Sequence, residues 1–306
     1  MDREEAATAA REELRQRLRQ SGLGRVEDVL MERARYAIRL TLTPTTEDAV
    51  PVGASKMGGQ PDLPTHVPWP EVSGRPMAFI AQINLQEAAP YDIEGILPSD
   101  GLLSFFVDDP DDVYDDEAFE DDPSDAPTCR VLYLDEDDCA TLTRQRWPSA
   151  LLENYLYTSA AIGMRVVGTL PDSKLPSIRT LLTEQERQSY WDVRVGTIRE
   201  SAGDWHWLLG YASAQGESPE LAHFASLQKW GVDWDTLTQA LDGFGDQALA
   251  ERVEREGADW RLLLQVYGNS EANMGWYGGG VLHFVLPGRA LAAHDFSFVS
   301  AAVQSL

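Results

Sequence analysis

Lys56 lies in the run SKMGGQP (55–61), one basic side chain beside two glycines, and so invites comparison with a phosphate-binding loop. The order is wrong for that chemistry. In such a loop the lysine follows the glycines and opens a helix, whereas Lys56 precedes Gly58 and Gly59 and no helix signal follows. Ser55 and Lys56 remain as a hydroxyl and a cation that suit a small anionic ligand. The five histidines, His66, His206, His223, His283 and His294, include no pair at metal-ligand spacing, so no metal site is expected. Each reads as a surface or hydrogen-bonded side chain. His283 alternates with Leu282 and Phe284, which puts it on the opposite sheet face from them. Cys129 and Cys139 are the only cysteines, too few for a disulfide framework or a four-thiolate zinc site. No nucleophile elbow, Cys–His pair or cofactor motif occurs.

The elements that must position these residues are read from periodicity. Residues 3–20 predict a helix stopped by Gly22 and Gly24, with apolar positions so few and small that it packs lightly; a second helix follows at 26–35. Ile38, Leu40 and Leu42 alternate with polar residues in a half-buried strand. The stretch 51–76 holds six prolines, which argues against a regular helix or a central strand. Its apolar Met57, Leu63, Val67 and Trp69 predict an ordered loop laid over a sheet. Strands are predicted at 77–85, 101–107, 129–134, 205–212, 260–267 and 280–286, with a short helix near 150–157 and a strand to 168. The spacing of Thr183 and Glu186 predicts a capping box, Ser218-Pro219 a helix start, and Asp246 a helix closed by Gly257. GWYGGG (275–280) reads as a tight hairpin turn.

Two segments about 180 residues apart echo each other. FIAQIN (79–84) precedes GLLSFFV (101–107), and LLLQVY (262–267) precedes GVLHFVL (280–286). Each apolar run ends in a glutamine, Gln82 or Gln265. A buried amide without partners costs about 1–3 kcal/mol, so each either ties down backbone or meets a ligand. The echo predicts an internal duplication, with pseudo-repeats near 77–134 and 260–303.

The composition narrows the partners. Fifty Asp and Glu against 25 Lys and Arg give a net charge of −25. Phosphate backbones and anionic membranes attract cations, so neither nucleic acid nor a membrane surface is expected as a partner. A basic protein partner fits this sign. The run 108–125 holds 11 acidic residues and predicts a solvated loop. The opening residues carry no signal-peptide pattern, which predicts a cytoplasmic protein.

The run SKMGGQPDLPTHVPWP (55–70), followed by GRPMAFIAQINL (74–85) and LPSDGLLSFF (97–106), resembles the YwqG-like family, a bacterial domain of unknown function. LLGYASAQG (208–216) is similar to that family's Leu-Gly-Gly-Tyr segment with one glycine replaced. LLLQVYGNSEANMGWYGGGVLHF (262–284) is similar to its terminal strands, with glycines at 278–280 where the family often shows Gly-Asp. The similarity runs from about residue 35 onward. It implies an α+β fold with a mostly antiparallel sheet and a cytosolic bacterial setting, and it brings no catalytic residues.

Together these readings predict an α+β chain with a helical arm at 1–35 and one domain at 36–306, built from two related hairpin units with peripheral helices. The ligand-binding candidates are Ser55, Lys56, Gly58, Gly59, Trp69, Gln82, Gln265 and Trp276, gathered in a cleft between the repeats. No cofactor is predicted. Two functions stand open. One is a non-enzymatic interaction protein, immunity- or antitoxin-like, that binds a basic protein. The other is an enzyme or binding protein acting on a small anionic or polar ligand.

Overall fold

A computed structural model of the chain describes residues 2–108, 129–199, 206–212, 232, 234–276 and 280–304. Its strands are β1 (Arg35–Pro44), β2 (Lys56–Met57), β3 (Asp62–Pro64), β4 (Glu71–Val72), β5 (Arg75–Pro76), β6 (Ala78–Asn84) and β7 (Leu102–Val107). They continue as β8 (Cys129–Leu134), β9 (Leu142–Arg144), β10 (Ala160–Thr169), β11 (His206–Leu209), β12 (Trp260–Tyr267), β13 (Val281–Pro287) and β14 (Ser300–Gln304). Ten form one sheet in the order β14-β13-β12-β11-β1-β10-β2-β6-β7-β8, and every neighbouring pair is antiparallel.

A twisted sheet of this width curls rather than staying open. Phe105 of β7 meets Phe284 of β13 edge to face at 5.2 Å, although six strands separate β7 from β13 in the order. Tyr133 of β8 lies 6.0 Å from Phe296, just before β14, and the Cys129 thiol donates to the Val299 carbonyl at 3.3 Å. The two ends of the sheet thus approach each other, and the sheet is nearly closed around a single apolar interior. Ile38, Leu40, Met57, Ile83, Phe105, Leu208, Val266 and Phe284 all point into it.

The strand order is symmetric about the β1–β10 pair: β2, β6, β7 and β8 on one side answer β11, β12, β13 and β14 on the other. Lys56 and Met57 pair with Gln82 and Ala81, while Trp207 and Leu208 pair with Gln265 and Leu264. The register of β6 on β7 slips between Phe79 and Ala81, and that of β12 on β13 between Leu262 and Leu264. Both irregularities sit at the residue two before the glutamine. Each inner strand then ends in two left-handed residues, Gly58 and Gly59 at φ +65° and +72° and Leu209 and Gly210 at φ +61° and +73°.

Where the prolines of 51–76 argue against a central strand, Lys56 and Met57 are one, two residues long, between β10 and β6. The prolines stand outside this short piece, and two residues suffice to complete the ladder. The rest of the stretch lies over the sheet as expected, with Leu63 and Val72 buried against Phe79 and Phe106. The helix expected near 150–157 is a single 3-10 turn at Glu153–Tyr155. Tyr155 and Tyr157 are both buried, a period of two that holds the chain extended.

Helix α1 (Arg3–Gln20) is capped by the Asp2 carboxylate, which accepts from the Glu5 amide at 2.8 Å. Its sparse apolar positions suggest light packing, yet Leu14 and Leu18 are buried. The small residues Ala6 and Ala10 bring it close to β10, and a Cβ at Gly168 would stand 2.8 Å from Leu14. Helix α2 (Glu27–Arg33) follows. The capping box forms, with the Glu186 amide donating to the Thr183 hydroxyl and the Thr183 amide to the Glu186 carboxylate, and opens the helix Glu184–Arg199. Asp246 caps the helix Gln247–Gly257. The helix expected at Ser218-Pro219, most of the acidic run 108–125 and the turn residues 277–279 lie outside the described residues.

Candidate functional site

Lys56 is fully buried on the outer sheet face, and its ammonium donates to the Glu47 carboxylate at 2.5 Å and to the Gln60 carbonyl. Burial pulls it below the usual lysine range, against the opposing hold of Glu47. Glu47 also accepts from the Gln60 amide at 3.0 Å and lies 3.0 Å from the Arg144 guanidinium. Arg144 grips the buried Asp62 at 2.9 and 3.3 Å and donates to the carbonyls of Glu47 and Val50. The Gln82 amide completes the network: its oxygen accepts from the Asp62 amide at 2.9 Å, and its nitrogen donates to the Asp62 carboxylate at 2.7 Å and the Ala54 carbonyl at 2.8 Å. Ser55 donates its amide to Glu87 and accepts from the Asn84 amide through its hydroxyl.

Gly58 and Gly59 are required by this packing. A Cβ at Gly58 would stand 2.3 Å from the Thr158 carbonyl oxygen, and one at Gly59 would stand 2.1 Å from the Glu47 carboxylate. Ser55, Lys56, Gly58, Gly59 and Gln82 are therefore brought together, and their polar groups tie loop to sheet.

The other three candidates lie elsewhere. Gln265 is buried on the outer face of β12, with β2, β10, β1 and β11 between it and β6. Five strand steps are about 24 Å along the sheet. Gln265 pairs with Trp207 and His283, the positions that answer Lys56 and Ser104. Trp69 packs edge-on to Phe106 at 5.7 Å and donates to the Met77 carbonyl. Trp276 is 2% exposed in the interior and donates to the Val266 carbonyl at 2.8 Å.

His283 does lie on the face opposite Leu282 and Phe284, but it is neither exposed nor hydrogen-bonded. It is fully buried, and among the described residues both ring nitrogens lack a partner. His206 faces inward and accepts from the Tyr267 amide at 3.2 Å through Nδ1. Burial pushes both imidazoles down to about 3.

A polar cavity of about 370 Å³ opens at one end of the sheet. Helix α2 stops at Arg33, and Ala34, at φ −64° and ψ 144°, turns the chain into β1. Its extended backbone brings Arg33 and Arg35 to the same wall. The Arg35 guanidinium lies 4.2 Å over the Tyr211 ring, whose hydroxyl donates to the Arg33 carbonyl at 3.1 Å. Arg33 donates to the carbonyl and hydroxyl of Ser177. Arg35 and the neighbouring Arg261 both donate to the Trp260 carbonyl, at 3.4 and 3.0 Å. Burial and the nearby Arg35 charge hold Arg261 below the usual guanidinium range.

Three acids share the wall: Glu32, Asp172 and Glu254. Glu254 accepts from both the amide and the hydroxyl of Ser177, within the turn Pro176–Arg179. Asp172 accepts from the Lys174 amide and faces Arg194 at 3.7 Å, and Glu32 is exposed. Sequence reasoning missed this cavity because its lining comes from separate segments with no shared spacing. The helix at 26–35, the helix closed by Gly257, the strand at 260–267 and LLGYASAQG each read as separate elements, and nothing in their spacing joins Arg33, Arg35, Glu254, Trp260 and Tyr211.

No helix among the described residues is long and apolar enough to cross a membrane, and no group of three or more His, Cys, Asp or Glu side chains gathers there to hold a metal ion. No curated protein matches the chain. Residues 55–304 match the pattern of one family model, a span that takes in every strand of the sheet except β1. On that match, the chain belongs to the family described as Domain of unknown function (DUF1963).

Proposed function

We propose that this is a binding protein whose ligand, a small polar molecule, occupies the cavity beside Arg33, Arg35 and Tyr211. The observation that carries this reading is the cavity itself: about 370 Å³ with charged groups converging on an aromatic wall. Small-molecule sites are commonly of this size and make-up. The test is calorimetry of the full chain against succinate, glycerol phosphate, glucose, putrescine and glycine. At least one should bind, and Ala258→Trp, at the cavity rim, should abolish that binding. Binding that Ala258→Trp leaves intact, or none at all, overturns the reading.

A second reading rests on charge. At −25 the chain suits a basic protein partner, as an immunity- or antitoxin-like protein would. A low-salt pull-down that returns no basic partner counts against it. We further read the chain as a cytosolic member of the YwqG-like branch, on the strength of SKMGGQPDLPTHVPWP. The two halves of the sheet are read as an internal duplication. The matched bulges before Gln82 and Gln265 and the matched left-handed pairs after β2 and β11 support it.

A further inference from the structure

We infer that the cavity ligand carries an oxyanion, a carboxylate or a phosphate, seated against the guanidinium groups of Arg35 and Arg33; this rests on the binding reading above. In a chain with twice as many acids as bases, these two arginines and Arg261 direct their hydrogen bonds, among the described residues, to backbone carbonyls and one hydroxyl rather than to carboxylates. Arg35 and Arg261 share one carbonyl oxygen, so two like charges are held within a few ångströms of each other. Glu94 lies near both, but burial pushes its carboxyl above the usual range, and it accepts from the Tyr36 amide at 3.5 Å.

The acids on the wall do not answer these cations. Ser177 takes Glu254, Lys174 and Arg194 take Asp172, and Glu32 is exposed. The stack on Tyr211 fixes the plane of the Arg35 guanidinium, and a fixed guanidinium fork suits the two oxygens of a carboxylate or phosphate. The single long bond from Arg35 to the Trp260 carbonyl, at 3.4 Å, is a weak one for an anion to replace.

The same calorimetric panel tests this inference separately from the cavity reading. Succinate or glycerol phosphate should bind, and whichever binds more tightly tells carboxylate from phosphate. Arg35→Gln should weaken that binding about ten- to a hundredfold, the loss expected for a hydrogen bond to a charged group. Arg35→Lys should recover only part of it, because the ammonium lacks the fork. Thermal melts establish that each variant folds. If Arg35→Gln does not fold, Arg33→Gln takes its place with the same expected loss. Glucose or putrescine binding that Ala258→Trp blocks, without oxyanion binding, would overturn the inference and leave the cavity reading standing. So would oxyanion binding indifferent to both arginine variants. Silence from the whole panel removes the cavity reading, and this inference with it.

Discussion

A neutral imidazole buried without a hydrogen bond forfeits the water contacts of both ring nitrogens, at a cost of about 1–3 kcal/mol. His283 is in that position, fully buried between Gln265 and Ala302 on neighbouring strands. Replacing it by leucine removes the orphaned groups at nearly constant volume. His283→Leu should therefore raise the unfolding free energy in urea by about 1–3 kcal/mol at pH 7. The sign with pH follows from the depressed imidazoles. The unfolded chain protonates His283 and His206 near 6.5, the folded chain only near 3, so protons favour unfolding between those values. Stability is complete above about 6.5 and declines below it, by at most about 1.4 kcal/mol per pH unit for each histidine. Urea titrations across that window should show a shallower decline for His283→Leu. An unchanged slope would mean that the ring is hydrated in solution.

The strand that ends in two left-handed residues shows how elements override residue preference. Gly58 and Gly59 meet that demand without a side chain, whereas Leu209 meets it at φ +61° with its side chain 2% exposed. The left-handed backbone costs a non-glycine residue about 1–2 kcal/mol. The buried leucine is worth more, since truncating one costs about 2–5 kcal/mol. Packing wins, so Leu209→Gly should destabilise by about 2–4 kcal/mol in spite of relieving strain, once the added freedom of glycine in the unfolded chain is included. A gain in urea midpoint would show that strain dominates. The Lys56 network is the other case. Polar groups that read as ligand contacts in the linear chain are consumed in joining the loop at 47–62 to β6 and β9.

The whole molecule carries −25, and self-repulsion of that size works against the compact state. Among the described residues most ion pairs have at least one exposed partner, as between Arg187 and Glu184, and exposed pairs contribute little. Screening should therefore help more than it harms. The melting temperature should rise as salt goes from about 0.01 M to about 0.15 M, where the screening length falls from about 30 Å to about 8 Å. A fall would mean that the exposed pairs outweigh the repulsion.

At the same scale, the sequence alone determined the parts that depend on local periodicity and caps. These were the strands that became β1, β6, β7, β12 and β13, the caps at Thr183 and Asp246, the choice of His283 for the outer face, and the echo around Gln82 and Gln265. Two-residue and 3.6-residue periods are written in neighbouring positions, so they survive without coordinates. Only the tertiary structure decided that Lys56 and Met57 complete the sheet, that its ends curl toward each other, and that Gln82 and Gln265 stand on opposite wings. Only the fold, likewise, drew Arg33, Arg35, Ser177, Tyr211, Glu254 and Trp260 around one cavity. The physical reason is sequence separation. Those contacts join segments up to 225 residues apart, and the curl of the sheet rather than any local pattern brings them into reach.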